Sequence, residues 1–110
     1  MLKPILLAAA ALLVMPAAAA FAADAAPTVI SIKGMHFTPA TLTVVPGTKV
    51  TWVNEDESPH TVTEQSRVFH SAALDTKDSF SYTFATPGEF AYFCTIHPMM
   101  TGKIVVKPAG

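Results

Sequence analysis

One cysteine, Cys94, is all that 110 residues contain. An intramolecular disulfide is excluded, and a lone thiol in an oxidising compartment is a liability unless something occupies it. Basic residues are also few. Of seven Lys and Arg, Lys3 alone precedes Asp24, so residues 23–110 carry six basic side chains against eight acidic ones, a net charge of −2. That balance offers no basic patch for nucleic acid or an anionic membrane. The sequence beyond residue 22 also lacks an internal repeat, a low-complexity segment and a convincing helical pattern.

The length predicts one domain, and the first stretch stands outside it. Lys3 precedes a short apolar run from Ile5 to Val14, Pro16 breaks the run, and Ala20-Phe21-Ala22 offers small residues where a signal peptidase inspects them. This layout predicts an export signal over residues 1–22, cut near Ala22 or Ala23, and a single periplasmic domain over residues 23–110. The rival reading is an uncleaved membrane anchor, because Pro4 to Ala23 is twenty residues without a charge. Much of that run is weakly apolar Ala with a proline near its end, which argues against a stable span. The absence of a cysteine near the cut argues against a lipid anchor. The 88 residues that remain bury only a modest core, and small exported domains usually add disulfides or a metal. With no disulfide available, a bound metal would serve both the core and the thiol.

Strand signals dominate residues 28–107. Thr28 to Lys33 alternates around Val and Ile, Thr41 to Val45 is β-branched, and Pro46-Gly47 turns the chain into Thr48 to Val53, with Val50 and Trp52 on one face. Asn54 to Pro59 is a polar, acidic loop ending at His60, and His60 to Thr63 resumes strand character. Residues 64–78 are the least regular, with room for a short helical turn. Ser79 to Phe84 alternates with Phe80, Tyr82 and Phe84 on one side; Pro87-Gly88 turns, Phe90 to Cys94 is a strand and Gly102 to Lys107 is the last. Seven or eight short strands without a helix predict an all-β Greek-key sandwich. Such a sandwich gathers distant strands at one end.

The chemically dense segment is Cys94-Thr95-Ile96-His97-Pro98-Met99-Met100, which sets a thiolate, an imidazole and thioethers in one loop between two strands. Taken singly, each has a plainer explanation: a buried Cys is a small hydrophobe, a lone His a surface residue, and Met a filler of cores. Their joint presence within seven residues is far less easily explained by chance. Two His and one Cys in a trigonal set with a distant Met form the ligand set of a blue-copper electron-transfer centre. The segment supplies three of the four. His60 fits as the other histidine because it opens a strand at a loop boundary, where a side chain can project from the end of a sandwich. His36 and His70 are read as partly exposed residues away from any metal, Glu55-Asp56-Glu57 as a solvated loop, and Trp52 as core.

The Cys-x-x-His-Pro-x-Met segment resembles the copper-ligand loop of the cupredoxins, and its short spacing is most similar to that of the amicyanins; pseudoazurins and plastocyanins place the methionine further on. The likeness extends through Pro46-Gly47, Val50-Thr51-Trp52-Val53-Asn54, Pro59-His60-Thr61-Val62, Phe80 to Phe84 and Pro87-Gly88, and so covers nearly the whole of residues 23–110. It implies a cupredoxin-like fold, one type 1 copper cycling between Cu(I) and Cu(II), strong ligands at His60, Cys94 and His97, and an axial ligand at Met100, with Met99 an exposed neighbour. Amicyanin-like proteins commonly have Asn directly after the first ligand histidine, where this chain has Thr61. The expected function is a monomeric carrier of single electrons between transient redox partners, a dehydrogenase, reductase or cytochrome, without enzymatic activity of its own. An oxidase or nitrite reductase would need further histidine-rich motifs, and no His-x-His occurs. A copper chaperone or storage protein is the alternative, since ligands alone do not say whether electrons or copper is passed on.

Overall fold

The computed structural model describes residues 28–109; the expected export signal and its cut lie outside them. Eight strands follow one another: β1 (Thr28–Lys33), β2 (His36–Thr38), β3 (Thr41–Val44), β4 (Thr48–Asn54), β5 (Thr63–Glu64), β6 (Ser79–Phe84), β7 (Gly88–Phe93) and β8 (Thr101–Val106). They form two four-stranded sheets, ordered β2-β1-β4-β6 and β3-β8-β7-β5. The pairs β1–β4 and β3–β8 are parallel and the remaining pairs antiparallel. From β4 onward the chain crosses between the sheets at each step until β7, which then pairs with β8 in its own sheet. This is the expected all-β sandwich.

Strand β2 was not expected, because Gly34-Met35 lacks the usual Asn-Gly or Asp-Gly signal of a two-residue hairpin. Both residues nevertheless sit at positive φ, 61° and 64°, joining Lys33 to its partner His36. The segment from His60 to Thr63 is also less regular than expected. Leu74 exchanges both backbone hydrogen bonds with His60, at 3.1 and 2.7 Å, and only the two residues of β5 join β7. Residues 64–78 hold turns instead of a helical turn, closed by Arg67 N–H to the Glu64 carbonyl and by Asp78 N–H to the Asp75 carbonyl.

The core lies between the sheets, built from the inward side of each alternation. Val50, Trp52 and Asn54 of β4 are buried on one face, opposite Ile104 and Val106 of β8 and Tyr92 of β7. Trp52 stands among aromatic rings, with centroids 5.4 Å from Tyr92, 5.7 Å from Phe69 and 5.8 Å from Phe80. Such pairs contribute about 0.5–1.5 kcal/mol each beyond burial. Opposite Tyr92 in the β7–β8 register lies Gly102, where any Cβ would overlap the phenol ring. The ends of β4 and β7 lie at the same end of the sandwich, where Asn54 Nδ2 donates to the Leu74 carbonyl and Leu74 pairs with His60.

Among the described residues, Trp52 Nε1 and Tyr92 Oη are buried without a hydrogen-bond partner. Burial pushes the Tyr92 phenol up to about 12; the indole N–H of Trp52 opposes the shift weakly, although the two do not meet at hydrogen-bonding geometry. A phenol is neutral when protonated, so the unfolded chain ionises near pH 10 while the folded chain keeps its proton to about pH 12. The stability that Tyr92 confers is therefore complete below pH 10 and lost between pH 10 and 12, up to about 3 kcal/mol. Denaturant titrations of wild type and Tyr92→Phe across that range check this: the wild type should lose more stability than the variant.

Candidate metal centre

Cys94 follows the last residue of β7 and is fully buried; its N–H donates to the Met100 carbonyl at 3.1 Å, and Met100 N–H donates to the His97 carbonyl at 2.9 Å. These two bonds close residues 94–100 into a tight loop that brings His97 back towards Cys94. His60 arrives from the other sheet's connection, held by its paired bonds with Leu74, and is likewise fully buried. The three donors converge. Cys94 Sγ lies 3.8 Å from His60 Nδ1 and 3.8 Å from His97 Nδ1, and the two nitrogens are 3.3 Å apart. No other cluster of three His, Cys, Asp or Glu donors at ligand spacing occurs among the described residues.

The triangle can be tested as a metal site. A point equidistant from all three donors lies about 2.1 Å from each, which is the length of a metal–imidazole bond and close to that of a metal–thiolate bond. Two imidazoles and one thiolate in a near-trigonal set suit copper, not the hard cations that want oxygen. Met100 is buried beside this loop while Met99 is 91% exposed, so Met100 is the methionine available to the interior. The donor set fits one type 1 copper. His36 and His70, expected to be partly exposed, are exposed and stand outside the cluster.

The surroundings of the donors decide how they are held. His60 Nε2 lies 2.9 Å from Asp56 Oδ2, and Asp56 also accepts the N–H of Gly34 at 2.7 Å and of Met35 at 3.0 Å. The hydrogen bond from Met35 is the main cause holding the Asp56 carboxyl below its ordinary value; those from Gly34 and His60 add to it, and burial opposes them. An ionised carboxylate can only accept, so Nε2 carries the His60 proton and Nδ1 turns its lone pair towards Cys94. Asp56 was missed in the sequence because it lies in the middle of an acidic run that reads as solvated. Its spacing of four residues from His60 is the one available hint, and in a loop that spacing implies no contact.

Thr61 is the second tie. Its N–H donates to Cys94 Sγ at 3.3 Å, its Oγ1 accepts the Thr95 N–H at 2.8 Å, and the two hydroxyls lie 2.9 Å apart. The residue that departs from the amicyanin pattern therefore links the two loops that bear the donors.

Residues 5–106 match the family of the Cupredoxin-like domain. Amicyanin of Paracoccus denitrificans is 39% identical over 97 residues, covering 84% of this chain and 73% of its own. Chloroplastic plastocyanin of Tetradesmus obliquus is 32% identical over 84 residues, covering 64% of this chain and 58% of its own. Among solved structures, the Cu(I) form of a methionine-to-alanine variant of amicyanin superposes with a TM-score of 0.71 at 32% identity, covering 77% of this chain and 88% of that one.

Replacing Thr61 with Val keeps the shape and removes the acceptor for Thr95 N–H. Leaving that N–H unpaired should cost about 1–2 kcal/mol, read as a lowered denaturant midpoint of the metal-free protein.

Proposed function

The chain belongs to the cupredoxin-like domain family, and from that premise we propose that it is a blue-copper electron carrier in which His60 Nδ1, Cys94 Sγ and His97 Nδ1 would hold one copper ion, with the buried Met100 thioether available as a further weak donor. The observation that carries this reading is the triangle of three donors whose centre lies at bonding distance from each. Bound copper supplies a one-electron couple, Cu(I)/Cu(II). The residues supply rigidity. Cys94 sits at the end of a strand, His60 is clamped by Leu74 and Asp56, and Thr61 joins the two loops. Donors held this way move little, and small movement keeps the barrier to electron transfer low.

His97 is the half-buried member of the triangle, and Ile96, Pro98 and Met99 beside it are exposed. With copper bound, this edge would be the point of contact for a transient redox protein such as a dehydrogenase, reductase or cytochrome, met across an apolar surface. Export to the periplasm rests on the signal pattern of residues 1–22, and the mass of the secreted protein checks the cut near Ala22 or Ala23.

Loading purified protein with Cu(II) should give an intense visible charge-transfer band from Cys94, and Cys94→Ser should abolish it while the far-ultraviolet circular dichroism is kept. A colourless wild type sinks the carrier reading, and ready donation of Cu(I) to an acceptor would mark a chaperone instead. Met99→Lys should leave the band intact and slow electron transfer to a partner by tenfold or so, because a charge on the rim must be desolvated on docking. Stopped-flow rates with a partner cytochrome measure this.

A further inference from the structure

The two histidines of the triangle are held differently. His60 is fully buried and gives its Nε2–H to a carboxylate, whereas His97 is half-buried and, among the described residues, has no hydrogen-bond partner on its Nε2. The carboxylate is itself fixed. Asp56 accepts two backbone N–H groups from the β1–β2 turn and its own N–H donates to Asn54 Oδ1, while Asn54 is fully buried and donates to the Ser58 and Leu74 carbonyls. Of the three adjacent acids, Glu55 pairs with Lys77 at 2.6 Å and Glu57 is exposed; Asp56 alone turns inward.

We propose that Asp56 is a positioning residue that fixes the ring and tautomer of His60 and, through its negative charge on the far nitrogen, favours Cu(II) over Cu(I) and so lowers the potential of the centre. The inference rests on the copper reading and adds a residue to it. A carboxylate hydrogen-bonded to the outer nitrogen of a ligand histidine makes the inner nitrogen a stronger donor, and a stronger donor stabilises the higher charge on the metal. The fixed charge acts in the same direction. The β1–β2 turn thereby becomes part of the support of the centre: the positive φ of Met35 is held by the same carboxylate that orients His60.

The test is a set of potentials on copper-loaded protein. Asp56→Asn keeps the size and removes the charge, and it should shift the equilibrium towards Cu(I) by about tenfold, equivalent to about 59 mV for one electron. Asp56→Glu restores the charge and should recover most of that shift. Glu57→Gln removes a neighbouring charge with no contact to His60 and should change the equilibrium by less than about twofold. An Asp56→Asn potential within about twofold of wild type, with the blue band intact, overturns the proposal, as does a Glu57→Gln shift of equal size. Should Asp56→Asn fail to fold, proton exchange in the wild type decides. The His60 Nε2–H should exchange with solvent far more slowly than that of His97 in the Cu(I) form, and equal exchange overturns the proposal. Measured on metal-free protein as well, this still judges Asp56 if the wild type shows no blue band, an outcome that removes the copper reading alone.

Discussion

Everything at the metal end depends on a short bridge between two loops. Thirty-three residues separate Thr61 from Cys94, yet the Thr61 N–H points at the sulfur and the Thr61 hydroxyl holds the amide of Thr95. The β5–β7 register leads into this bridge, since Thr63 pairs with Phe93 immediately before Cys94. Loops that met only through a metal would have to be ordered when the metal bound, at the cost of their conformational entropy. Here hydrogen bonds in a buried setting order them beforehand, and the N–H on the sulfur bears on the property that sets the potential of a thiolate–copper bond.

Around this bridge the two imidazoles divide the work. His60 is inside and fixed from behind by a carboxylate that the backbone of another strand pair holds in place; His97 rides on a loop closed by only two backbone bonds and reaches solvent. A centre that exchanges electrons with large partners needs one accessible edge and otherwise as little freedom as possible. The inner wall of the site continues into the Trp52 aromatic cluster, so the packing of the sandwich and the rigidity of the site are one property.

Much of this was legible in the sequence. The alternations of β1, β4 and β6 and the Pro-Gly turns predicted a sandwich, and the cluster of Cys94, His97 and Met100 announced a metal loop because three soft or intermediate donors seldom fall within seven residues. His60 was harder to find, since its partners are remote in sequence, and a loop boundary was the clue. What could not be read depends on tertiary pairing. Strand β2 forms because Asp56 supplies the acceptors that Gly34 and Met35 need, a contact spanning 21 and 22 residues. The segment from His60 to Glu64 is irregular because Leu74, Ser71 and Phe69 pair with it instead of a continuous strand. Thr61 was visible as a departure from the family pattern, but its work as a cross-link was not, because nothing local says that Thr95 lies opposite.

The acidic loop shows how charge in a sequence differs from charge on a surface. Glu55-Asp56-Glu57 reads in the sequence as a solvated loop with three negative charges. In the fold, Lys77 pairs with the first, the second turns inward to His60 and the β1–β2 turn while keeping its charge, and Glu57 faces solvent. Lys77 therefore offsets part of the loop's negative charge, and Asp56 directs its own towards His60. The exposed side chains of Ile96, Pro98 and Met99 beside His97 form an apolar rim instead. Apolar attraction is non-directional, so such a rim by itself would not fix a single docking orientation.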